Sequence, residues 1–167
     1  GFGGGDGLVA GIKKKATGEG LSLMECSGSG IVYLAQDAAN VTVVDLAGET
    51  LQVEAQQLLA LTSNLQTNVT FAGVRGGVSG QGLFTTTVTG HGQVALLSQG
   101  GPLIHLEVSP QSPLVVDPDA FVCARGALSQ SFITDVSWRT VVGQGSGEAF
   151  SLRWDGTGVV SIQPAER

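Results

Sequence analysis

Short apolar runs with strand-like alternation, separated by glycines, recur along the whole chain. The clearest is Leu103-Ile104-His105-Leu106-Glu107-Val108, a strict apolar/polar alternation that predicts a β-strand with His105 and Glu107 on its solvated face. Around it a larger pattern repeats. Gly18-Glu19-Gly20-Leu21 is followed by Gly28-Ser29-Gly30 and Ile31-Val32-Tyr33-Leu34; Gly80-Gln81-Gly82-Leu83-Phe84 by Gly90-His91-Gly92 and Val94-Ala95-Leu96-Leu97; Gly147-Glu148-Ala149-Phe150 by Gly156-Thr157-Gly158 and Val159-Val160-Ser161-Ile162. The first glycines of the three Gly-x-Gly motifs stand 62 and 66 residues apart. Gly-x-Gly between alternating segments is the chemistry of a tight hairpin turn, so each motif predicts a β-hairpin. Phe84, Phe150, Val32, Val94 and Val160 then fall on inward-facing positions.

A second strand-turn-strand unit repeats between these motifs with an offset of 63 residues. Thr50-Leu51-Gln52-Val53 and Leu58-Leu59-Ala60-Leu61 match Pro113-Leu114-Val115-Val116 and Phe121-Val122-Cys123-Ala124. By itself Glu54–Leu61 has good helix propensity. Its counterpart carries Pro118, however, which argues against a helix and leaves room for one helical turn near Gln56. The expected architecture is an all-β chain, a sandwich or barrel of repeated β-hairpin modules, with residues 36–99 and 100–167 as two copies and residues 1–35 as the closing half of another. A lone half-module exposes strand edges. It is expected either to continue a segment ahead of Gly1 or to pair with another chain.

Composition supports this reading. The 167 residues include 26 glycines, and only 13% are charged, about half the share of a typical soluble domain. No apolar run approaches the roughly 18 to 20 residues of a membrane-spanning helix. Net charge is −6, with 8 Lys and Arg against 14 Asp and Glu, which disfavours nucleic acid because phosphate binding needs a basic face. Cys26 and Cys123 have no metal-ligand spacing and read as idle thiols. The opening Gly1–Gly7 has no signal-peptide pattern, and the sequons at Asn40 and Asn68 stand without other signs of secretion.

With GEGL, GQGLF and GEAF each followed by a Gly-x-Gly motif, the chain resembles the mitochondrial-biogenesis family named for altered inheritance of mitochondria, which has many bacterial members. The likeness spans essentially the whole chain; it departs at Ala149, where the third copy lacks the Gly-Leu pairing. The resemblance implies a TRAP-like fold, named for the tryptophan RNA-binding attenuation protein, with a β-rich, oligomer-forming architecture and additional sequence ahead of the point matching Gly1. It brings no catalytic residues.

Residue by residue, the bland readings lead. His91 matches Ser29 and Thr157 in the other copies and reads as a polar turn residue. His105 and Glu107 make two potential ligands where a metal site uses three or four. Asp117-Pro118-Asp119 is turn chemistry with Glu54 as its counterpart. Gly3–Lys13 lacks the Lys that a phosphate loop places directly after glycine and reads as a loop leading into a short amphipathic helix, Leu8 to Lys15. Lys13, Lys14 and Lys15 are too few for stable anchoring on anionic lipid. Trp138 and Trp154 are expected as core or interface anchors. No catalytic, cofactor-binding or metal residue is assigned, and no cofactor is expected. The function expected is that of a non-enzymatic, homo-oligomeric scaffold or interaction protein of the bacterial cytoplasm. The alternatives are single-stranded RNA binding and a small-molecule or lipid pocket.

Overall fold

The computed structural model describes residues 14–17, 21–74, 82–134 and 150–165. Ten strands occupy them: β1 Lys14–Thr17, β2 Leu21–Met24, β3 Asn40–Glu54, β4 Leu58–Leu61, β5 Gln66–Val74, β6 Gly82–Ser98, β7 Ile104–Val108, β8 Leu114–Val116, β9 Phe121–Thr134 and β10 Phe150–Ile162. The chain is all-β, as the alternation predicts. A single 3-10 turn, Ala55–Gln57, forms where one helical turn was allowed for. β1 and β2 make a two-stranded sheet; the rest form one antiparallel sheet in the order β4-β6-β3-β9-β10-β7, with β5 also beside β6 and β8 beside β10. Among the described residues this sheet does not close into a barrel.

Its two halves share one pairing scheme. Leu51, Gln52 and Val53 of β3 face Val88, Thr87 and Thr86 of β6. Leu114, Val115 and Val116 of β8 face Trp154, Arg153 and Leu152 of β10. On the other side of β6, Leu61 faces Val94 and a register slip follows between Leu58 and Ala60; on the other side of β10, Ala124 faces Val160 and a slip falls between Ser161 and Ile162. β3 thus corresponds to β7 plus β8, β4 plus β5 to β9, and β6 to β10. The halves join where Leu51, Gln52 and Val53 pair with Arg125, Ala124 and Cys123.

Two of the three Gly-x-Gly motifs are not hairpin tips. β6 runs unbroken through Gly90-His91-Gly92, and β10 through Gly156-Thr157-Gly158. Nor do β3 and β4 form a hairpin, because they flank β6 on opposite sides. The connection explains why. Glu54 ends β3 opposite Thr85, whereas Leu58 begins β4 opposite Leu96. A straight β6 would separate those levels by about 36 Å at 3.3 Å per residue, and four residues reach only about 14 Å. β6 therefore folds over between them. The glycines permit the bend: a Cβ on Gly158 would strike the Arg125 carbonyl oxygen, and one on Gly126 (φ +114°) would lie 2.6 Å from that of Thr157. Opposite the same level, β3 carries a bulge between Ala47 and Thr50, and residues 109–113 loop out between β7 and β8.

Each folded half encloses its own apolar cluster. The first packs Leu46, Leu51, Val53, Leu58, Val88, Val94 and Leu96 with Val122 and Cys123 from across the junction. The second packs Val108, Val116, Phe121, Ala124, Leu152, Trp154 and Val160, with the Phe121 and Trp154 rings 5.0 Å apart. Val94 and Val160 are fully buried as expected, and so is Trp154. Val32 is not: it is 65% exposed, with Ile31, Tyr33 and Leu34 exposed beside it. Residues 31–34 belong to no strand, so that apolar run has no sheet neighbour to cover it. The side chains of Phe84 and Phe150, and all of Trp138, lie outside the described residues.

Carboxylates hold the strand-to-strand turns alike in both halves. The Gln56 N–H donates to Glu54 Oε2 (2.9 Å), and the Asp119 N–H to Asp117 Oδ1 (2.8 Å). A buried amide then ties the halves together. Gln163 Oε1 accepts from Gln57 Nε2 (3.0 Å) and from the Gln99 N–H (3.0 Å), while its Nε2 donates to the Asp119 carbonyl (2.8 Å).

Gly158→Ala is expected to destabilise the fold by about 2 kcal/mol or more, because the atom in the way is backbone, whereas exposed Thr157→Ala should stay within about 0.5 kcal/mol. Urea unfolding of the two variants checks this. Gln163→Leu, which removes an acceptor shared by Gln57 and Gln99, should cost about 1–3 kcal/mol in the same measurement.

Candidate functional site

Beyond their three-residue junction β3 and β9 part, and a cleft of about 330 Å³ opens between the halves. Thr42, Val43, Val44, Asp45 and Leu51 line one side; Leu103, His105, Cys123, Arg125 and Ser161 line the other. The side chains are set by strand alternation. Val160 points into the second core, so Ser161 turns to the opposite face, between its cross-strand partners His105 on β7 and Cys123 on β9.

His105 Nδ1 and Ser161 Oγ lie 2.8 Å apart. Ser161 also hydrogen-bonds the Cys123 side chain, but burial outweighs this and pushes the thiol up to about 11. Cys123 is accordingly a protonated, unreactive thiol at neutral pH. Across the cleft, Asp45 Oδ1 accepts from Gln93 Nε2 (2.9 Å). At the nearby β3 bulge the Ala47 N–H donates to Glu49 Oε2 (2.9 Å), and this bond holds the exposed Glu49 carboxyl below the usual carboxylate range. No group of three His, Cys, Asp or Glu able to hold a metal converges among the described residues. What the cleft presents is one carboxylate, one guanidinium and a His-Ser pair on apolar walls.

Among the described residues, the sequence candidates at this cleft are His105 and Cys123. His105 and Glu107 are both exposed on their edge strand, as the alternation predicts. His91 is exposed in mid-strand opposite Ala47, against Gly48, and its carbonyl accepts from Asn64 Nδ2. Lys14 and Lys15 lie in β1 rather than in a helix, which corrects that expectation; Gly3–Lys13 lies outside the described residues. Cys26 is a free, exposed thiol. Sequence reasoning missed Asp45, Arg125 and Ser161, whose only signal was polarity at positions facing away from a core. It also missed the bidentate pair Arg153–Asp155, bonded at 2.8 and 2.9 Å, which lowers the Asp155 and raises the Arg153 titration. That pair sits half-exposed on β10 and adds little stability.

An open antiparallel sheet of long, folded-over strands, with a cleft between two similarly paired halves, defines a class of all-β proteins of which solved examples exist. An X-ray crystal structure of a Streptococcus pyogenes protein superposes with a TM-score of 0.59 at 20% identity, over 76% of this chain and 55% of that one. The chain thus spans about half the length of that neighbour, and the likeness shows the fold alone. The family model for mitochondrial biogenesis AIM24 matches residues 2–165, so the chain belongs to that family. No curated protein matches it.

The difference between the two thiols gives a direct check. In the native protein a thiol-specific reagent at neutral pH should modify Cys26 and spare Cys123, and denaturant should release the second site. Rapid labelling of native Cys123 would contradict its burial.

Proposed function

We propose that this protein is a non-catalytic assembly module, built of two copies of one strand unit and joined to further copies of itself through the edges of its sheet. One observation carries this reading: at both flanks of the eight-stranded sheet, strands that mirror the internally paired ones stand without a second neighbour among the described residues. Exposed unpaired strands present a row of N–H and C=O groups that template pairing with another chain. Apolar side chains accompany the edge, Ile104 being 44% and Val115 48% exposed. The family name links the protein to mitochondrial biogenesis without specifying an activity.

The reading as non-catalytic is supported by the protonated thiol and by the His105–Ser161 pair, which among the described residues has no carboxylate hydrogen bond to orient the ring. Two free cysteines suit a reducing compartment such as the cytoplasm. No helix among the described residues is long and apolar enough to cross a membrane. RNA binding is disfavoured by the same acidic balance that the composition shows. A second reading rests on the cleft itself, whose volume reaches the lower end of small-molecule sites; native mass spectrometry would reveal a co-purifying compound.

Sedimentation velocity over a wide range of protein concentration is expected to show species heavier than one chain, shifting towards the single chain on dilution. A strict monomer throughout would remove the assembly reading.

A further inference from the structure

The two halves can be compared place by place, and at the cleft they differ. In the second half His105 on β7 faces Ser161 on β10, and Ser161 faces Cys123 on β9. The same places in the first half hold Val43 on β3 facing Ala95 on β6, and Ala95 facing Ala60 on β4. The pairing scheme therefore forms without polar side chains there. Arg125 likewise follows Ala124 where Thr62 follows Leu61. Polar groups that the strand scheme does not require are thus gathered on the wall of a cleft of about 330 Å³, the setting of a small-molecule site. Every lining residue lies between Thr42 and Ser161, inside the two full copies, so the cleft is a product of their own junction.

Its two charges are held apart. Asp45 and Arg125 line the same cleft but form no ion pair with each other. Gln93 Nε2, donating to Asp45 Oδ1 at 2.9 Å, orients that carboxylate from the neighbouring strand. Arg125 has no hydrogen-bond partner among the described residues. It acts on Glu49 through space alone, and the Glu49 carboxyl is held chiefly by the Ala47 N–H. A ligand with a single charge would meet one of the two groups and be repelled by the other. A ligand with both charges satisfies both, and the apolar surface of Val43, Leu51 and Leu103 remains for an uncharged body.

We propose that the cleft binds a small amphoteric molecule with an apolar body, of which an aliphatic α-amino acid is the simplest kind. Its carboxylate lies on the Arg125 guanidinium, whose planar fork suits a carboxylate, its ammonium group on Asp45, and its side chain on the apolar wall. This rests on the reading of the cleft as a small-molecule site and names what that site takes.

Titration with L-leucine, followed by two-dimensional NMR, tests this, with isocaproate and isopentylamine as probes that carry the same body and one charge each. Leucine is expected to shift the amide signals of residues 42–45 and 123–125, with a dissociation constant of about 1 mM or below. Each single-charge probe should bind about tenfold more weakly. Arg125→Gln and Asp45→Asn should each weaken leucine binding about tenfold in a spectrum that stays folded. Arg125→Gln should leave isopentylamine unaffected, and Asp45→Asn should leave isocaproate unaffected. Isocaproate or isopentylamine binding as tightly as leucine, or leucine binding that ignores both substitutions, overturns the proposal. If no probe binds but native mass spectrometry finds a different compound that Arg125→Gln removes, the ligand class is wrong while the small-molecule reading of the cleft stands. If no probe binds and no compound co-purifies, both fall.

Discussion

A β-strand of 17 residues has to bend if both of its ends are to face the same core, and the bend in β6 and β10 is what everything else in this protein hangs on. The corner is built from close backbone approach: Gly126, Gly156 and Gly158 bring β9 and β10 so near each other that no side-chain carbon fits between them. With the strand folded over, Val88 and Val94, six residues apart on β6, enter one apolar cluster, and Trp154 and Val160 do the same on β10. The short Glu54–Leu58 link and the equally direct run from Val116 to Phe121 become possible for the same reason. Glycine abundance, costly in regular structure, is here the condition for a core.

From that bend follows the relation between the halves. Each encloses its own cluster, and the contact between them includes three backbone pairs, the intrusion of Val122 and Cys123 into the first core, Leu103 packed against that core, and the Gln163 amide. Gln163 does what an apolar residue could not, offering one oxygen that accepts twice and one N–H donor to groups from three separate segments in a place water does not reach. Where the strands part, polar and apolar side chains of β3, β7, β9 and β10 line a cleft rather than filling it. The same geometry gives the outermost strands pairings like those used inside the chain.

Much of the architecture was legible in the residues. Alternation at Leu103–Val108 marked a strand with His105 and Glu107 in solvent, and Pro118, which stands at the place of Ala55 at the offset of 63 residues, argued against a helix where a 3-10 turn, Ala55–Gln57, forms. The role of Gly-x-Gly was not legible. Gly90-His91-Gly92 has the local chemistry of a hairpin tip, and positive φ serves a tight turn and a folded-over strand equally well. Val32 failed for a related reason: its pattern is that of Val94 and Val160, but burial needs neighbouring strands, and residues 31–34 have none among the described residues.

Local covalent preferences therefore determined which segments extend, where they break and which side chains alternate, because those depend on neighbours a few residues away. Which strand lies beside which, whether a glycine turns the chain back or lets it continue bent, and that Asp45, Arg125, His105 and Ser161 share one cleft were decided only by the tertiary structure. Such juxtapositions join residues up to 116 positions apart, as Asp45 and Ser161 are, and packing two layers across one core selects among pairings that local sequence leaves equivalent.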